Sequence, residues 1–309
     1  MDPSKASRTA LATSLMRAIH TRSDPAPLLH DPWGDRLVPQ SVQADMRASA
    51  MARLDPALRA GADPGRVLDA AMRANPAYAG VILRSRYTED MLQAAVGRGI
   101  TQYVLVGAGF DSFLCRRPAW AEGLQIFEVD HPATQQLKRE CLQHCGIAEP
   151  ERVHFVAADL SEETLQSALA RSPFQPAQPT FFSWLGVTVY LTREANLATL
   201  RAIASSAPAG SELVFTYVDE AVFRPENPGN EAFDKLRSSV SSVGEPFLSG
   251  FDPATLAPVL LQTGLQLIEN LDREQAVVRY DPVDANGLRK GNAGYMAHAR
   301  VVSAAPPAA

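Results

Sequence analysis

The sequence of 309 residues contains a glycine-rich turn and a following acidic residue whose spacing points to ligand binding. An apolar run ends in Gly107–Gly109, and glycines directly after a buried strand let a ligand lie against bare backbone. Asp130 ends the next apolar run, 21 positions after Gly109, close to the ~20 expected of an acid that binds a ribose hydroxyl pair. An ordinary turn and a helix-capping aspartate before Pro132 are the alternative interpretation.

Binding sites for dinucleotides and for S-adenosylmethionine both use such an acid, so two further features are needed to distinguish the two cofactors. A dinucleotide loop has Gly or Ala at the position that Ser112 occupies, and it directs a helix N-terminus at a pyrophosphate. Asp159 and Leu160 end a third apolar run and offer an adenine a polar acceptor and an apolar wall. The alternative for Asp159 is a cap of the following helix. Together these features favour S-adenosylmethionine.

The elements that must position these residues alternate between strand and helix from residue 103 onward. Predicted strands cover 103–106, 125–129, 153–156, 180–184 and 212–217, and predicted helices cover 132–143, 164–170 and 193–205. Buried runs alternating with helices predict a mostly parallel sheet covered on both faces. Two late runs, 265–268 and 295–302, are joined by a stretch without a predicted helix. They predict a hairpin, an antiparallel last strand and an α/β fold with seven strands.

The segment before residue 81 has a different sequence pattern. It is predicted to be helical, with an apolar stripe at Leu11, Leu15, Met16 and Ile19. Prolines at 25, 27 and 32 interrupt it, and Asp31–Trp33 is predicted to form a turn. Residues 1–80 are therefore interpreted as an N-terminal helical cap or lid. Residues 81–309 form the ligand-binding domain, with an insertion at about 219–250.

Composition excludes several classes of function. With 46% apolar and 20% charged residues and a net charge of −5, the chain does not attract a polyanion such as nucleic acid. It lacks an apolar run of the ~18 residues that a membrane helix needs, and the N-terminus lacks the apolar core of a signal peptide. The three cysteines 115, 141 and 145 are interpreted as free thiols in a reducing, cytoplasmic setting rather than as metal ligands.

Five motifs occur in a specific order along the chain. They are Arg84, Val-Gly-Ala-Gly-Phe-Asp-Ser at 106–112, Glu-Val-Asp-His-Pro at 128–132, Ala-Asp-Leu at 158–160 and Ser-Trp-Leu-Gly-Val-Thr-Val-Tyr-Leu-Thr at 183–192. On these motifs the sequence resembles the leucine carboxyl methyltransferase family over roughly residues 8–220. The family includes protein phosphatase carboxyl methyltransferases and bacterial polyketide carboxyl methyltransferases. The Asp31–Trp33 segment is similar to the family's N-terminal region too.

The resemblance implies a Rossmann-like class I methyltransferase that binds S-adenosyl-L-methionine and releases S-adenosyl-L-homocysteine. Arg84 is expected to pair with the methionine carboxylate, for which a guanidinium fork is suited. Arg86 lies two positions away on the predicted helix and therefore faces elsewhere. Leu185 stands where many members have glutamate, although a subset of bacterial members shares the Leu-Gly form. The cofactor-binding residues that the resemblance implies are Arg84, Gly107, Ala108, Gly109, Asp130, Asp159, Leu160 and Leu185.

The predicted reaction is O-methylation of a small molecule, with the carboxylate of a secondary metabolite as the expected acceptor. A carboxylate is ionised at pH 7 and needs no general base, whereas a hydroxyl acceptor needs one within hydrogen-bond reach. His131 is a candidate base, and Tyr190 and Tyr217 are candidates for the pocket wall or for the core. Three alternatives stay open: a hydroxyl O-methyltransferase, an NAD-dependent oxidoreductase, and a non-catalytic homologue that binds the cofactor.

Overall fold

The computed structural model describes residues 6–147, 150–224, 231–241, 246–289 and 294–302. Its centre is one seven-stranded sheet in the order β3-β2-β1-β4-β5-β7-β6. The strands are β1 (Gln102–Val106), β2 (Gln125–Asp130), β3 (Val153–Ala157), β4 (Thr180–Trp184), β5 (Glu212–Val218), β6 (Leu265–Asp272) and β7 (Gly294–Val301). Pairs among β1 to β5 are parallel, while β7 runs antiparallel to both β5 and β6. The predicted α/β fold with seven strands and an antiparallel last strand is confirmed.

Helices cover both faces of the sheet because alternate residues of its buried strands point to opposite sides. In β1, Tyr103 and Leu105 pack into the core on one face, and Val104 and Val106 into the core on the other. The helices are α1 (Arg8–Ser23), α2 (Gly34–Leu37), α3 (Gln40–Arg53), α4 (Pro56–Arg59), α5 (Pro64–Arg73), α6 (Tyr78–Gly97), α7 (Pro132–His144), α8 (Leu165–Leu169), α9 (Arg193–Ser206), α10 (Glu231–Ser241), α11 (Leu256–Leu261) and α12 (Arg273–Tyr280). The first face carries α1, α6, α7 and α12, and the second carries α8, α9 and α11.

The prediction that β6 and β7 are joined without a helix is wrong, because α12 lies between them. The carboxylate of Asp272 accepts a hydrogen bond from the Gln275 amide at 2.8 Å, and the Gln275 side chain accepts one from the Asp272 amide at 3.0 Å. This reciprocal capping box satisfies two backbone donors at the helix start. Ala276 and Val277 bury the inner face of the helix. The short helix therefore forms within a hairpin whose strands still pair antiparallel.

Buried polar contacts attach the N-terminal segment to the sheet. The turn predicted at Asp31–Trp33 is present, since the Trp33 amide donates to Asp31 Oδ1 at 3.1 Å. Asp31 Oδ2 accepts hydrogen bonds from Arg17 Nε at 2.8 Å and from the Ser112 hydroxyl at 2.6 Å. Arg17 Nη2 also donates to the Phe110 carbonyl at 2.6 Å. The helix α1 is therefore tied to the loop that follows β1.

Two findings concern classes of site that the composition addressed. Within the described ranges, no helix has the length and apolarity needed to cross a membrane. The same part of the chain has no group of three or more side chains arranged to hold a metal ion, and the three cysteines are free.

Candidate functional site

A cavity of about 130 Å³ opens at the carboxyl ends of β4 and β5, beneath α1 and α6. Arg84 enters it from α6, and Gly186 borders it from the turn after β4. Tyr190, Tyr217 and Arg273 form other parts of its wall. In parallel α/β sheets, ligands bind outside the carboxyl ends of the strands. The cavity is therefore the candidate active site.

Arg84 is a half-buried cation that forms no ion pair with the described residues. Among the described residues, its guanidinium makes no hydrogen bond or ion pair. Burial lowers the pKa of Arg84 to about 10, and Arg17 acts in the same direction, whereas Tyr190 and Asp111 act against the shift. By contrast, Arg86 Nε lies 3.0 Å from an Asp90 carboxylate oxygen, and Arg86 Nη1 donates to the Leu28 carbonyl at 3.1 Å. Of the two neighbouring arginines, Arg84 is the one available to an anionic ligand.

Gly186 makes room for the Arg84 guanidinium. Its φ of +70° lies in the left-handed region, and a Cβ there would stand 2.6 Å from Arg84 Nη1. Gly107 is similarly constrained, with φ of +73° and a Cβ position 2.6 Å from Val187 Cγ2. Glycine meets both demands because it tolerates positive φ and has no side chain. The missing side chain of Gly107 thus makes room for Val187, and the contact of Gly107 to Gly109 with a ligand stays a prediction.

Asp130 fastens this glycine turn to β2. One oxygen of its carboxylate accepts a hydrogen bond from the Gly109 amide, and the other accepts one from the His131 amide at 2.6 Å. Burial raises the pKa of the Asp130 carboxyl, although both backbone hydrogen bonds act in the opposite direction. The cap of α7 is His131, whose Nδ1 accepts from the Ala133 amide at 3.2 Å. Asp130 is therefore not the cap of this helix, and its ribose-binding role stays a prediction.

Asp159 and Leu160 lie at the end of β3, next to His131. The Asp159 carboxylate accepts hydrogen bonds from the amide and the hydroxyl of Ser161, and these lower its pKa. The cap of α8 is Thr164, so Asp159 is not that helix's cap. Leu160 is half-buried against the core. His131 Nε2 lies 3.7 Å from an Asp159 oxygen, and this group is separate from the wall of the cavity.

The remaining predicted residues occupy different surroundings. Leu185, directly before Gly186, is half-buried against the core. Tyr190 lies on a single helical turn and packs on Phe247 with 5.4 Å between ring centroids. Tyr217 is buried, and its hydroxyl is hydrogen-bonded to Asn270 at 3.0 Å. Because Tyr190 and Tyr217 also border the cavity, they combine a packing role with access to a ligand.

Among the cavity-wall residues that the sequence analysis missed are Arg273, Tyr295 and Met296. Tyr295 stacks on Tyr217 with 5.1 Å between ring centroids. All three flank the junction between β6, α12 and β7, far along the chain from the motifs that carry the family resemblance. The capping box at Asp272 and Gln275 was the available signal for the helix that places Arg273.

We expect replacement of Asp130 by alanine to weaken S-adenosylhomocysteine binding by about tenfold or more. A charged acceptor of hydrogen bonds is worth roughly 1.5–3 kcal/mol, and the ribose would lose one. The Gly109 and His131 amides would lose theirs as well, so the melting temperature should fall by several degrees. Calorimetric titration and a thermal melt measure the two effects. Affinity within twofold of the wild type would show that the carboxylate serves the turn alone.

Comparison with known proteins places the chain beside methyltransferases. The signature of a family described as leucine carboxyl methyltransferase matches residues 10–204. A Bacillus subtilis (strain 168) protein, provisionally named an S-adenosyl-L-methionine-dependent methyltransferase, is 33% identical over 279 residues, which cover 88% of this chain and 90% of that protein. A similarly named Mycolicibacterium smegmatis protein is 31% identical over 69% of this chain and 67% of its own length. A Thermobifida fusca crystal structure shares the fold, with a TM-score of 0.58, 16% identity and coverage of 98% and 97% of the two chains.

Proposed function

Because this chain belongs to the leucine carboxyl methyltransferase family, an S-adenosylmethionine-dependent group, we propose that its acceptor is a small-molecule carboxylate. One observation supports this acceptor above the others. Among the described residues that border the cavity, the ionisable side chains are Arg84, Arg273 and the tyrosines 190, 217 and 295. The described residues of the cavity wall include no histidine, carboxylate, lysine or cysteine. A hydroxyl acceptor would need such a base, whereas a carboxylate reacts as it stands.

The residues of the site fit S-adenosylmethionine. The Arg84 guanidinium, which forms no ion pair with the described residues, suits the methionine carboxylate, and in this proposal the glycine turn at Gly107–Gly109 lies beside the bound cofactor. In this proposal Asp130 holds the ribose, and Asp159 and Leu160 contact the adenine. When bound, S-adenosylmethionine supplies an electrophilic methyl group on a sulfonium. The chain's own task is to hold an acceptor oxygen in line with it and to exclude water.

The tyrosines of the cavity act as hydrogen-bond donors in this proposal. Burial raises the pKa values of Tyr217 and Tyr295 above the ordinary value for a phenol. Both hydroxyls therefore keep their protons at pH 7, where neither can act as a base. The Tyr217 hydroxyl already donates its proton to Asn270 Oδ1. The Tyr295 hydroxyl can orient a carboxylate acceptor by donating to one of its oxygens, which leaves the other to attack. His131 lies outside the cavity wall and has no part in this scheme.

Residues 1–80 form the cap of the site in the same proposal. Thr9 and Thr13 of α1 border the cavity, and the Cβ of Ala10 lies close enough to the glycine turn that a Cβ at Gly109 would be 3.1 Å away. An acceptor would therefore enter beneath α1. We place the reaction in the cytoplasm, where Cys115, Cys141 and Cys145 stay reduced. A net charge of −5 suits a small-molecule acceptor better than a nucleic acid.

The pH dependence of methyl transfer tests the choice of acceptor. We expect the rate to stay nearly flat from about pH 6 to 8, because a carboxylate with a pKa near 4 is ionised throughout. The measurement uses methyl-tritiated S-adenosylmethionine with a panel of carboxylic acids and matched phenols. Label in a base-labile ester supports the proposal.

The control for this profile is His131→Ala, which should keep most of the activity because His131 lies outside the cavity. An alkali-stable ether, a rate that climbs with pH and a His131→Ala variant without activity would together establish a hydroxyl acceptor. A protein that binds S-adenosylmethionine and labels neither class would be a non-catalytic homologue.

A further inference from the structure

Arg273 is a second cation in the cavity wall, and one of its donors has no partner. It is the first residue of α12, directly after β6. Its Nη2 donates a hydrogen bond to the Arg289 carbonyl at 2.9 Å, which fixes the direction of the guanidinium. Its Nη1 is buried and, within the described part of the chain, has no hydrogen-bond acceptor. A buried donor left unsatisfied is destabilising, and more so when it is charged.

The carboxylates nearest to Arg273 along the chain do not pair with its Nη1. Asp272 and Glu274 flank Arg273, and one Asp272 oxygen caps α12 by accepting from the Gln275 amide. Burial lowers the pKa of Arg273. The negative charge of Asp272 raises it, but by less. The described cavity wall contains no aspartate or glutamate. A cation with an unpaired donor in the wall of an acid-free cavity suits an anionic ligand.

Arg273 and Arg84 border the cavity from different elements of the fold. The Arg84 guanidinium is beside Gly186, just after β4, and Arg273 follows β6. The sheet order β4-β5-β7-β6 separates these strand ends by three strand spacings, or about 14 Å at roughly 4.8 Å each. On this spacing of the strand ends, the two cations are assigned to different carboxylates. If Arg84 holds the methionine carboxylate, the anion at Arg273 must come from the acceptor.

The wall between the two arginines is apolar and aromatic. Tyr217 and Tyr295 stack on each other, and Val218, Phe247 and Met296 add apolar surface. Such a wall suits the hydrocarbon or aromatic body of a ligand, while the few polar groups fix its orientation.

We propose that the acceptor is a dicarboxylate with an apolar or aromatic spacer, whose second, unreacting carboxylate pairs with Arg273. This inference rests on the proposed carboxylate methylation, because it assigns the reacting carboxylate to a part of the cavity away from Arg273. Arg273 is thereby a specificity-determining residue that orients the acceptor and takes no part in the displacement. The product is a half-ester that keeps the anion at Arg273.

Binding to the complex with S-adenosylhomocysteine tests the proposal without requiring turnover. The probes are terephthalate, isophthalate, adipate and suberate, each beside its monomethyl ester, titrated by calorimetry and by saturation-transfer NMR. We expect at least one diacid to bind the wild type about tenfold or more tightly than its monoester. Arg273→Met should abolish that preference and leave monoester affinity within about twofold, whereas Arg273→Lys should retain part of it. Arg289→Met is the matched control, because it removes an exposed charge nearby while its backbone carbonyl stays.

The outcomes separate the two proposals. A wild type with no preference for any diacid over its monoester, including no binding of either, overturns the role of Arg273. A preference that survives in Arg273→Met, or that Arg289→Met removes equally, also overturns it. If diacid binding depends on Arg273 but labelled S-adenosylmethionine gives no ester, the anion site stands and the proposed reaction fails. If monoacids are esterified equally by the wild type and Arg273→Met, the reaction stands and the dicarboxylate proposal fails.

Discussion

Replacing Arg84 by methionine is expected to lower the affinity for S-adenosylhomocysteine by about 100-fold and to bring methyl transfer below detection. A bidentate pair between guanidinium and carboxylate comprises two charge-assisted hydrogen bonds, each worth about 1.5–3 kcal/mol. Loss of about 3 kcal/mol corresponds to roughly 100-fold in affinity, at 1.4 kcal/mol for each factor of ten. Methionine keeps the length and apolar stem of the side chain but removes the charge. Calorimetric titration against wild type measures the change.

The apo form of Arg84→Met should be as stable as the wild type or more stable. Burial lowers the pKa of Arg84 to about 10, so folding disfavours the charged form of this base. The resulting penalty is fully present below about pH 10 and disappears as the pH rises towards the unfolded value near 12.5. At pH 7 to 8 the variant is free of that penalty, and its melting temperature should equal or exceed that of the wild type. Loss of ligand binding together with unchanged stability separates a binding role from a structural one.

Arg86→Met is the matched control for Arg84→Met. The two arginines lie on the same helix, but Arg86 is ion-paired with Asp90 and is partly exposed. Its replacement should change affinity by less than about twofold, because exposed pairs contribute only about 0–1 kcal/mol to stability and Arg86 does not border the cavity. Equal loss of affinity in both variants would show that general positive charge on α6, rather than the Arg84 guanidinium, attracts the cofactor.

Local patterns were sufficient to predict the sheet and the turns at its carboxyl edge. Buried parallel strands are continuous apolar runs, and the glycines of Gly107–Gly109 follow the first of them directly. The predicted turn at Asp31–Trp33 is also local, because the Asp31 side chain accepts from an amide two residues later. The identity of the cap on α7 was harder to predict. Asp130 and His131 both precede Pro132, and either side chain can accept from a first-turn amide.

Contacts between distant segments could not be predicted from the sequence. Asp31 and Ser112 are 81 positions apart, and their hydrogen bond depends on how α1 packs on the sheet. Arg273 gave no periodic signal, because α12 has eight residues and exposes several of them to solvent. Arg273 matters because it borders a cavity at the ends of strands whose order in the sheet differs from their order along the chain. Residues that line such a cavity become recognisable only once the sheet order is known.

We expect replacement of Asp31 by asparagine to destabilise the protein by about 3–5 kcal/mol, which is the cost of breaking a buried ion pair by removing one partner. At roughly 2–4 °C per kcal/mol, the value for large domains, the melting temperature should fall by about 6–20 °C. Arg17 is almost fully buried and would lose the carboxylate that neutralises it. Thermal melts of the two proteins at pH 7 measure the difference.

The pH dependence of this difference has a defined sign. Burial alone would raise the pKa of Asp31, but the Arg17 and Arg116 guanidinium groups and the Ser112 hydroxyl bring it below the ordinary value of 3.8. A carboxyl with a lowered folded-state pKa contributes stability above its unfolded pKa, and that stability is lost as the pH falls through the folded value. The gap in melting temperature between wild type and Asp31→Asn should therefore be constant from about pH 5 to 8 and narrow below about pH 4.

The same variant tests whether the N-terminal helices act as a cap. Limited proteolysis of Asp31→Asn should cut within roughly residues 1–60 faster than in the wild type, because α1 loses its attachment to the loop after β1. Bound S-adenosylhomocysteine should slow that cut if the cap closes over the cofactor. Asp35→Asn is the matched control, since it breaks only an exposed pair with Arg22, in which the two side chains are 39% and 42% exposed. Equal melting temperatures and equal cleavage in the two variants would show that the Asp31 contacts are not what fastens the N-terminal helices.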